Sequence, residues 1–157
     1  MNDNVRDAIR ELLDARKVLS LAVVFDGHPE QSLLPYAVAP DCSGVYVQAS
    51  QLARHTQALT QGARVSVLVH GLDTEGTDPL QITRLSMLCE VEPLDRDGDR
   101  FAAGSDVFVA RFPSAAVTLG FDDFGLFALR FQGGRYVAGF AQAFDVDPRD
   151  IRRVSAR

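Results

Sequence analysis

Residues 18–39 read VLSLAVVFDGHPEQSLLPYAVA, and this stretch decides the fold. Its first eight residues are mostly β-branched and aliphatic, as a strand requires. They stop at Asp26-Gly27, a dipeptide that favours a tight hairpin turn because both positions tolerate positive φ. Residues 31–39 then read as the returning strand. Pro35 lies inside it and cannot donate to a ladder, so an edge position or a bulge is expected there. Two consecutive strands joined by a tight turn must be antiparallel, since a parallel pair needs a long crossover. No glycine-rich turn leads from a first strand into a helix, which excludes a Rossmann arrangement.

The flanking segments fit the same picture. Residues 4–17 place Val5, Ala8, Ile9, Leu12 and Leu13 on one helical face. Beyond the hairpin, 40–44 reads as a turn and 45–49 as a third strand. A helix is expected over 51–61, with Ser50 as N-cap and Gly62 at its C-terminal end. Residues 64–70 alternate as a half-buried strand, and 72–79 form a polar, acidic loop. A long strand over 80–93 offers Ile82, Leu85, Met87 and Leu88 to the core, with a bulge where alternation fails. A helix over 100–112 ends before Pro113. Strands 124–131 and 136–145 make a final hairpin about Gln132-Gly133-Gly134-Arg135. Asp147, Pro148 and Asp150 then open a last helix over 147–154. The order predicts a mainly β chain with peripheral helices, built as an antiparallel barrel of six or slightly more strands.

The 157 residues suit one domain, with the barrel over about 18–145. Hydrophobic residues make up 46% and charged residues 24%, enough for a full core. Sixteen basic against 21 acidic residues give a net charge of −5. No positive excess exists to neutralise phosphates, so nucleic acid is not the expected partner. No apolar run approaches the ~20 residues of a membrane helix. Asp3, Asp7, Glu11 and Asp14 fall where a signal peptide would be apolar, so a cytoplasmic chain with no membrane partner is expected. Cys42 and Cys89 are far apart and form neither a disulfide framework nor a zinc motif. His28, His55 and His70 show no metal-ligand spacing, and loop 73–78 lacks the ligand alternation of a calcium loop. No GxSxG nucleophile turn is present, and no residue is assigned as acid or base. Seven of the ten phenylalanines (101, 108, 112, 121, 124, 127 and 131) crowd one stretch. One small barrel cannot hold them all, so a second aromatic cluster under the helices or at a subunit contact is expected.

The segment Ser50-Gln51-Leu52-Ala53-Arg54-His55-Thr56 follows a strand and opens a helix. Unpaired amides at a helix start favour an anion, and Arg54, His55 and Thr56 add a guanidinium, an imidazole and a hydroxyl. The same residues also suit a solvated helix face, and both readings stand on the residues alone.

Six segments, in order, resemble the FMN-binding split-barrel superfamily typified by pyridoxamine 5′-phosphate oxidase, above all its haem-utilisation (HugZ-like) branch. They are LSLAVVFDGHPEQSLLPYAV, GVYVQASQLARHTQAL, ARVSVLVHG, DPLQITRLSMLCEVEPL, ARFPSAAVTLGFDDFGLFALR and RYVAGFAQAF, spanning Leu19 to Phe144. The resemblance implies an antiparallel Greek-key split barrel and a homodimer with the cofactor, FMN, at the subunit interface. It sets Arg54 at the basic phosphate ligand and Gln48 and Ser50 at positions lining the flavin. His55 and Thr56 match the HT pair of the haem-utilisation branch. Arg84 matches a polar position on the fifth strand that touches flavin, and Gln48 is expected to face the same ring from a neighbouring strand. The oxidase's two basic residues on the second strand are here Ser32, kept as a cofactor contact, and Ala37. The chain has no tryptophan, and its last residues, IRRVSAR, hold no histidine. A true pyridoxamine phosphate oxidase is therefore not expected. The implied function is an FMN-binding flavoprotein, an oxidoreductase of unassigned substrate linked to haem utilisation. The alternative is a non-catalytic module that binds haem or another small ligand and has lost flavin.

Overall fold

The opening hairpin forms as the sequence predicts: β1 (Val18–Phe25) and β2 (His28–Val38) turn through Asp26 and Gly27, both at positive φ. The computed structural model describes residues 1–152. Before the hairpin lies α1 (Asp3–Ala15), capped by the Asn2 side chain on the Val5 amide. After it come β3 (Gly44–Ser50), α2 (Arg54–Gln57), β4 (Arg64–His70) and β5 (Arg84–Pro93). Then follow α3 (Asp99–Arg111), α4 (Ala115–Thr118), β6 (Phe124–Gly139), β7 (Gln142–Val146) and α5 (Pro148–Ile151). The sheet runs β3-β2-β1-β4-β5-β6-β7, and β3 also pairs with β6. Six antiparallel strands thus close a ring, with β7 outside it on β6; this is the split barrel. Among the described residues no helix is long and apolar enough to cross a membrane.

Closure gives each strand an inner and an outer face, and side chains alternate between them. Leu19, Leu21 and Val23 point inward from β1, Val65, Val67 and Val69 from β4, and Leu85, Met87, Cys89 and Val91 from β5; all are buried. Ile9, Leu12 and Leu13 of α1 belong to this core. The Tyr36 hydroxyl donates to the Leu13 carbonyl at 2.8 Å and ties α1 to β2. A second cluster lies outside the barrel, where Phe108 of α3 packs with Ala37 and Leu126, flanked by Phe101 and Phe112. Phe127 and Phe131 sit in the main core instead. Five of the seven crowded phenylalanines therefore divide between two clusters, while Phe121 and Phe124 pair with each other outside both, Phe121 being exposed.

Several boundaries differ from expectation for identifiable reasons. Pro35 sits in neither an edge strand nor a bulge. It pairs with Val18 as the last β2 residue along β1, and Tyr36 is the first of the residues paired to β3. The missing donor falls where the strand changes partners. The helix expected over 51–61 shrinks to four residues. Ser50 remains in β3, its hydroxyl accepting from the Leu52 amide, and the Gly62 amide is drawn to the Val91 carbonyl at 2.8 Å. β5 begins at Arg84 rather than at 80, after a short 3-10 turn over Pro79–Gln81 capped by Asp78. Ile82 is half-buried and Leu88 exposed, so neither is a core residue; β5 alternates without the expected bulge, and the register shift beside Leu88 and Cys89 comes from an extra residue, Gln132, in β6. The helix expected over 147–154 holds for Pro148–Ile151, with a capping box between Asp147 and Asp150; Arg153 and Val154 lie outside the described residues.

The largest departure concerns Gly133 and Gly134. They make no turn: β6 runs through them as one 16-residue strand, and the chain reverses at Phe140-Ala141 instead. A Cβ on Gly134 would lie 2.2 Å from the Ser86 carbonyl and 2.3 Å from the Met87 sulfur. The glycine permits a close approach of β6 to β5 beside the bulge. Gly133, by contrast, has no atom nearer than 3.9 Å. Gly134→Ala should destabilise the protein by roughly 1–3 kcal/mol, the usual cost of overpacking, and Gly133→Ala by much less. Urea denaturation of both variants checks this; equal midpoints would refute it.

Candidate functional site

The candidate residues fall into three places. The first is the inner side of the β1–β2 hairpin beneath α2. Ser32 pairs with Leu21 and Glu30 with Val23, so both acquire the inward direction of those core residues. The Ser32 hydroxyl lies 2.8 Å from Nδ1 of His55. Nε2 of His55 is closed off from solvent and has no partner. Burial pushes the His55 pKa below its ordinary value, opposed by the Glu30 carboxylate. Arg54 pairs with Glu30 at 2.6 Å and sits 5.5 Å from the Phe25 ring centroid, with its side chain 70% exposed. Thr56 is buried and donates to the Ser50 carbonyl at 2.6 Å. Ser32, Ser50, Arg54, His55 and Thr56 thus share one neighbourhood. Its hydroxyls are spent on holding α2 down, and its one guanidinium is already neutralised.

The second place is outside the barrel. Gln48 leans against α4, its amide donating to the Thr118 hydroxyl at 2.6 Å. It borders a cleft of about 340 Å³ whose walls include Pro35, Phe108 and Phe112. Ala37, the other second-strand position, is only 1% exposed beneath α3. No ligand can touch it there.

The third place is the outer face of β2, β1, β4 and β5. Along β4 the inner valines alternate with outward Ser66, Leu68 and His70; along β5 Arg84, Ser86 and Leu88 point outward. This face stays open: Val24 is 66% and Leu33 67% exposed, and Leu68 and Leu88 are exposed as well. Small side chains at Ser20, Ala22, Ser66 and Ser86 leave a depression of about 260 Å³. At one end Arg84 pairs with His70 across the ladder and donates to the Ile82 carbonyl at 3.1 Å. Among the described residues no carboxylate lies within 4 Å of Arg84, unlike Arg54. Gln48 and Arg84 do not lie on neighbouring strands. β3 and β5 are separated by β6, and the two residues meet β6 at Leu126 and Val137, far apart along it.

Sequence reasoning set His70 aside for want of metal-ligand spacing and did not single out Glu30 or the open face. The face was present as alternation, small or exposed residues outward at 20, 22, 66, 68, 86 and 88, but alternation alone does not say whether a helix covers the outer side. Glu30 becomes important only through a pairing between β2 and α2, 24 residues apart.

No family model matches the chain. It is 30% identical over 145 residues to the haem oxygenase HutZ of Vibrio cholerae, covering 91% of this chain and 81% of the relative. The crystal structure of HutZ, described as a haem storage protein, superposes with a TM-score of 0.71 at 26% identity, covering 88% of this chain and 92% of that one. A haem-binding protein from Mycobacterium smegmatis gives a TM-score of 0.84 at 22% identity; the match covers 96% of this chain but only 61% of that longer one. A Clostridium acetobutylicum protein of the pyridoxine phosphate oxidase family gives 0.70 at 13% identity, covering 96% and 99%. The last two likenesses concern the fold.

The depressed His55 pKa predicts a pH dependence of stability. In the unfolded chain His55 takes up a proton as pH falls through about 6.5; the folded chain resists until a lower pH. The contribution is therefore complete above that value and is lost as pH falls toward the depressed one. Denaturation midpoints at pH 7.5 and 5.5 should differ less in His55→Gln than in the wild type. An unchanged difference would show that His55 does not carry it.

Proposed function

The chain belongs to the haem-utilisation branch of the pyridoxamine 5′-phosphate oxidase-like split-barrel superfamily, and from that premise we propose that it binds haem as a homodimer, the ligand lying where the outer barrel faces of two copies meet. The observation that carries this reading is the distribution of its guanidinium groups. Among the described residues no carboxylate pairs with Arg84, which lies on an open, partly apolar sheet face. Haem presents a wide apolar ring and two carboxylates, which match that donor set.

The FMN phosphate fits less well. Where the resemblance expects a cradle for it, Ser32 is engaged by His55, Ala37 is buried, and Arg54 is held by Glu30. A phosphate dianion there would face the Glu30 carboxylate at short range, which is repulsive.

The homodimer rests on the open face. Leu33, Val24, Leu68 and Leu88 form an apolar patch that a lone barrel leaves in water, and covering it gains about 25 cal/mol per Å². A two-fold axis through it makes the contact self-complementary and duplicates the Arg84 site. In the resulting cleft Arg84 would bind a propionate, and the aliphatic side chains would exclude water from the ring. When bound, haem supplies a redox-active iron; the residues described here hold and orient it.

Titration of the purified protein with ferric haem should give a saturable Soret shift, and FMN over the same range should leave its fluorescence unquenched. Tighter binding of FMN, or no response to haem, would overturn the reading. Separately, Leu33→Asp places a charge on the open face without touching either core. It should convert a sedimenting dimer to a monomer with an unchanged circular dichroism spectrum and weaken haem binding. A wild type that sediments as a monomer at micromolar concentration removes the dimer.

A further inference from the structure

We infer that His70 is the residue of this chain that ligates the haem iron, with Arg84 beside it for a propionate; the inference rests on the haem reading above. Iron ligands in proteins are drawn mainly from imidazole, thiolate, thioether and phenolate groups. Cys42, Cys89, Met87, Tyr36 and Tyr136 are buried in the fold, while Met1 packs against the main core and Tyr46 against the second cluster, so none of them lies on the open face. Three imidazoles remain to be compared.

His55 is turned inward. Its Nδ1 is engaged by Ser32 at 2.8 Å, and its Nε2 is enclosed by protein with no room for a porphyrin. His28 lies at the hairpin tip, exposed, and among the described residues no hydrogen bond orients its ring.

His70 differs from both. Its Nδ1 lies 2.6 Å from the Gly71 carbonyl. A carbonyl can only accept, so Nδ1 carries the proton, and among the described residues no hydrogen bond takes up the Nε2 lone pair of this exposed side chain. This backbone-carbonyl anchor is the second-shell contact that fixes tautomer and ring direction in metal-binding histidines. The anchor is itself held, since the Gly71 amide donates to the Thr83 carbonyl at 2.8 Å. His70 also lies on the open face, two residues from exposed Leu68 and directly across the ladder from Arg84. The loop between His70 and Arg84 exposes Leu72 and Leu80, apolar surface beside a ring. One strand end thus juxtaposes an oriented nitrogen donor, a guanidinium with no carboxylate partner among the described residues, and aliphatic side chains.

The test compares wild type, His70→Ala, His70→Gly and His28→Ala in ferric haem titrations followed by Soret position and electron paramagnetic resonance. Wild type and His28→Ala should give the same imidazole-ligated spectrum. His70→Ala should lose that signature and bind haem at least tenfold more weakly, with unchanged circular dichroism. Added imidazole should restore the spectrum in His70→Gly. If the wild type binds haem and His70→Ala keeps its spectrum and affinity, the ligand assignment is wrong while the haem reading survives. If the wild type binds no haem, both fall.

Discussion

The pairing of β3 with β6 is the contact on which the rest of the structure depends. Seven residue pairs, from Gly44 with Arg130 to Ser50 with Phe124, convert an open sheet into a ring. The backbones meet closely enough that a Cβ on Gly44 would lie 2.2 Å from the Leu129 carbonyl. Once the ring closes, each strand has an inside and an outside, and every other property follows from which side a residue takes. The apolar alternates fill the interior, α3 and α4 cover one part of the exterior, and the faces of β2, β1, β4 and β5 are left open.

That division also sorts the charged residues. Glu30 falls on the inward row of β2, where α2 brings Arg54 against it, and the pair neutralises the cation that chain order alone would offer to a phosphate. Arg84 falls on the outward row of β5, where no carboxylate of the described residues reaches it. Two arginines with equal formal charge therefore have different capacities for an anion. Local pairing rather than net charge decides which is available: an exposed ion pair is weak in energy, yet it sets what a third charged group would meet. The overall charge of −5 is no obstacle to a local carboxylate site on the Arg84 side.

Glycine shows the same dependence on context. Asp26-Gly27 turns the chain as expected, because positive φ is needed there. Gly133-Gly134 carries an equally strong turn signal but lies inside β6, where what is needed is the absence of a Cβ against Ser86 and Met87. A local rule cannot separate these uses, since both exploit the same missing atom.

Much of the fold was determined by the sequence itself. β-Branched residues ending at Asp26-Gly27 set β1 and alternation set β4 to the residue, the helical stripe set most of α1, and Asp147 and Asp150 set the last cap. These are short-range patterns, and short-range physics suffices to read them. The family and its barrel were legible too, through ordered segments spread over most of the chain. The site was not. Arg54, His55, Thr56, Ser50 and Ser32 share one neighbourhood, but their engagement with Glu30 and with one another, and the separation of Gln48 from Arg84, arise from pairings across many residues. So does the prominence of His70, an unremarkable strand end until the Gly71 carbonyl fixes its ring and Arg84 is brought alongside. Only the tertiary structure decided these points, because the availability of a donor depends on every group that folding brings within bonding distance, and sequence spacing does not encode that distance.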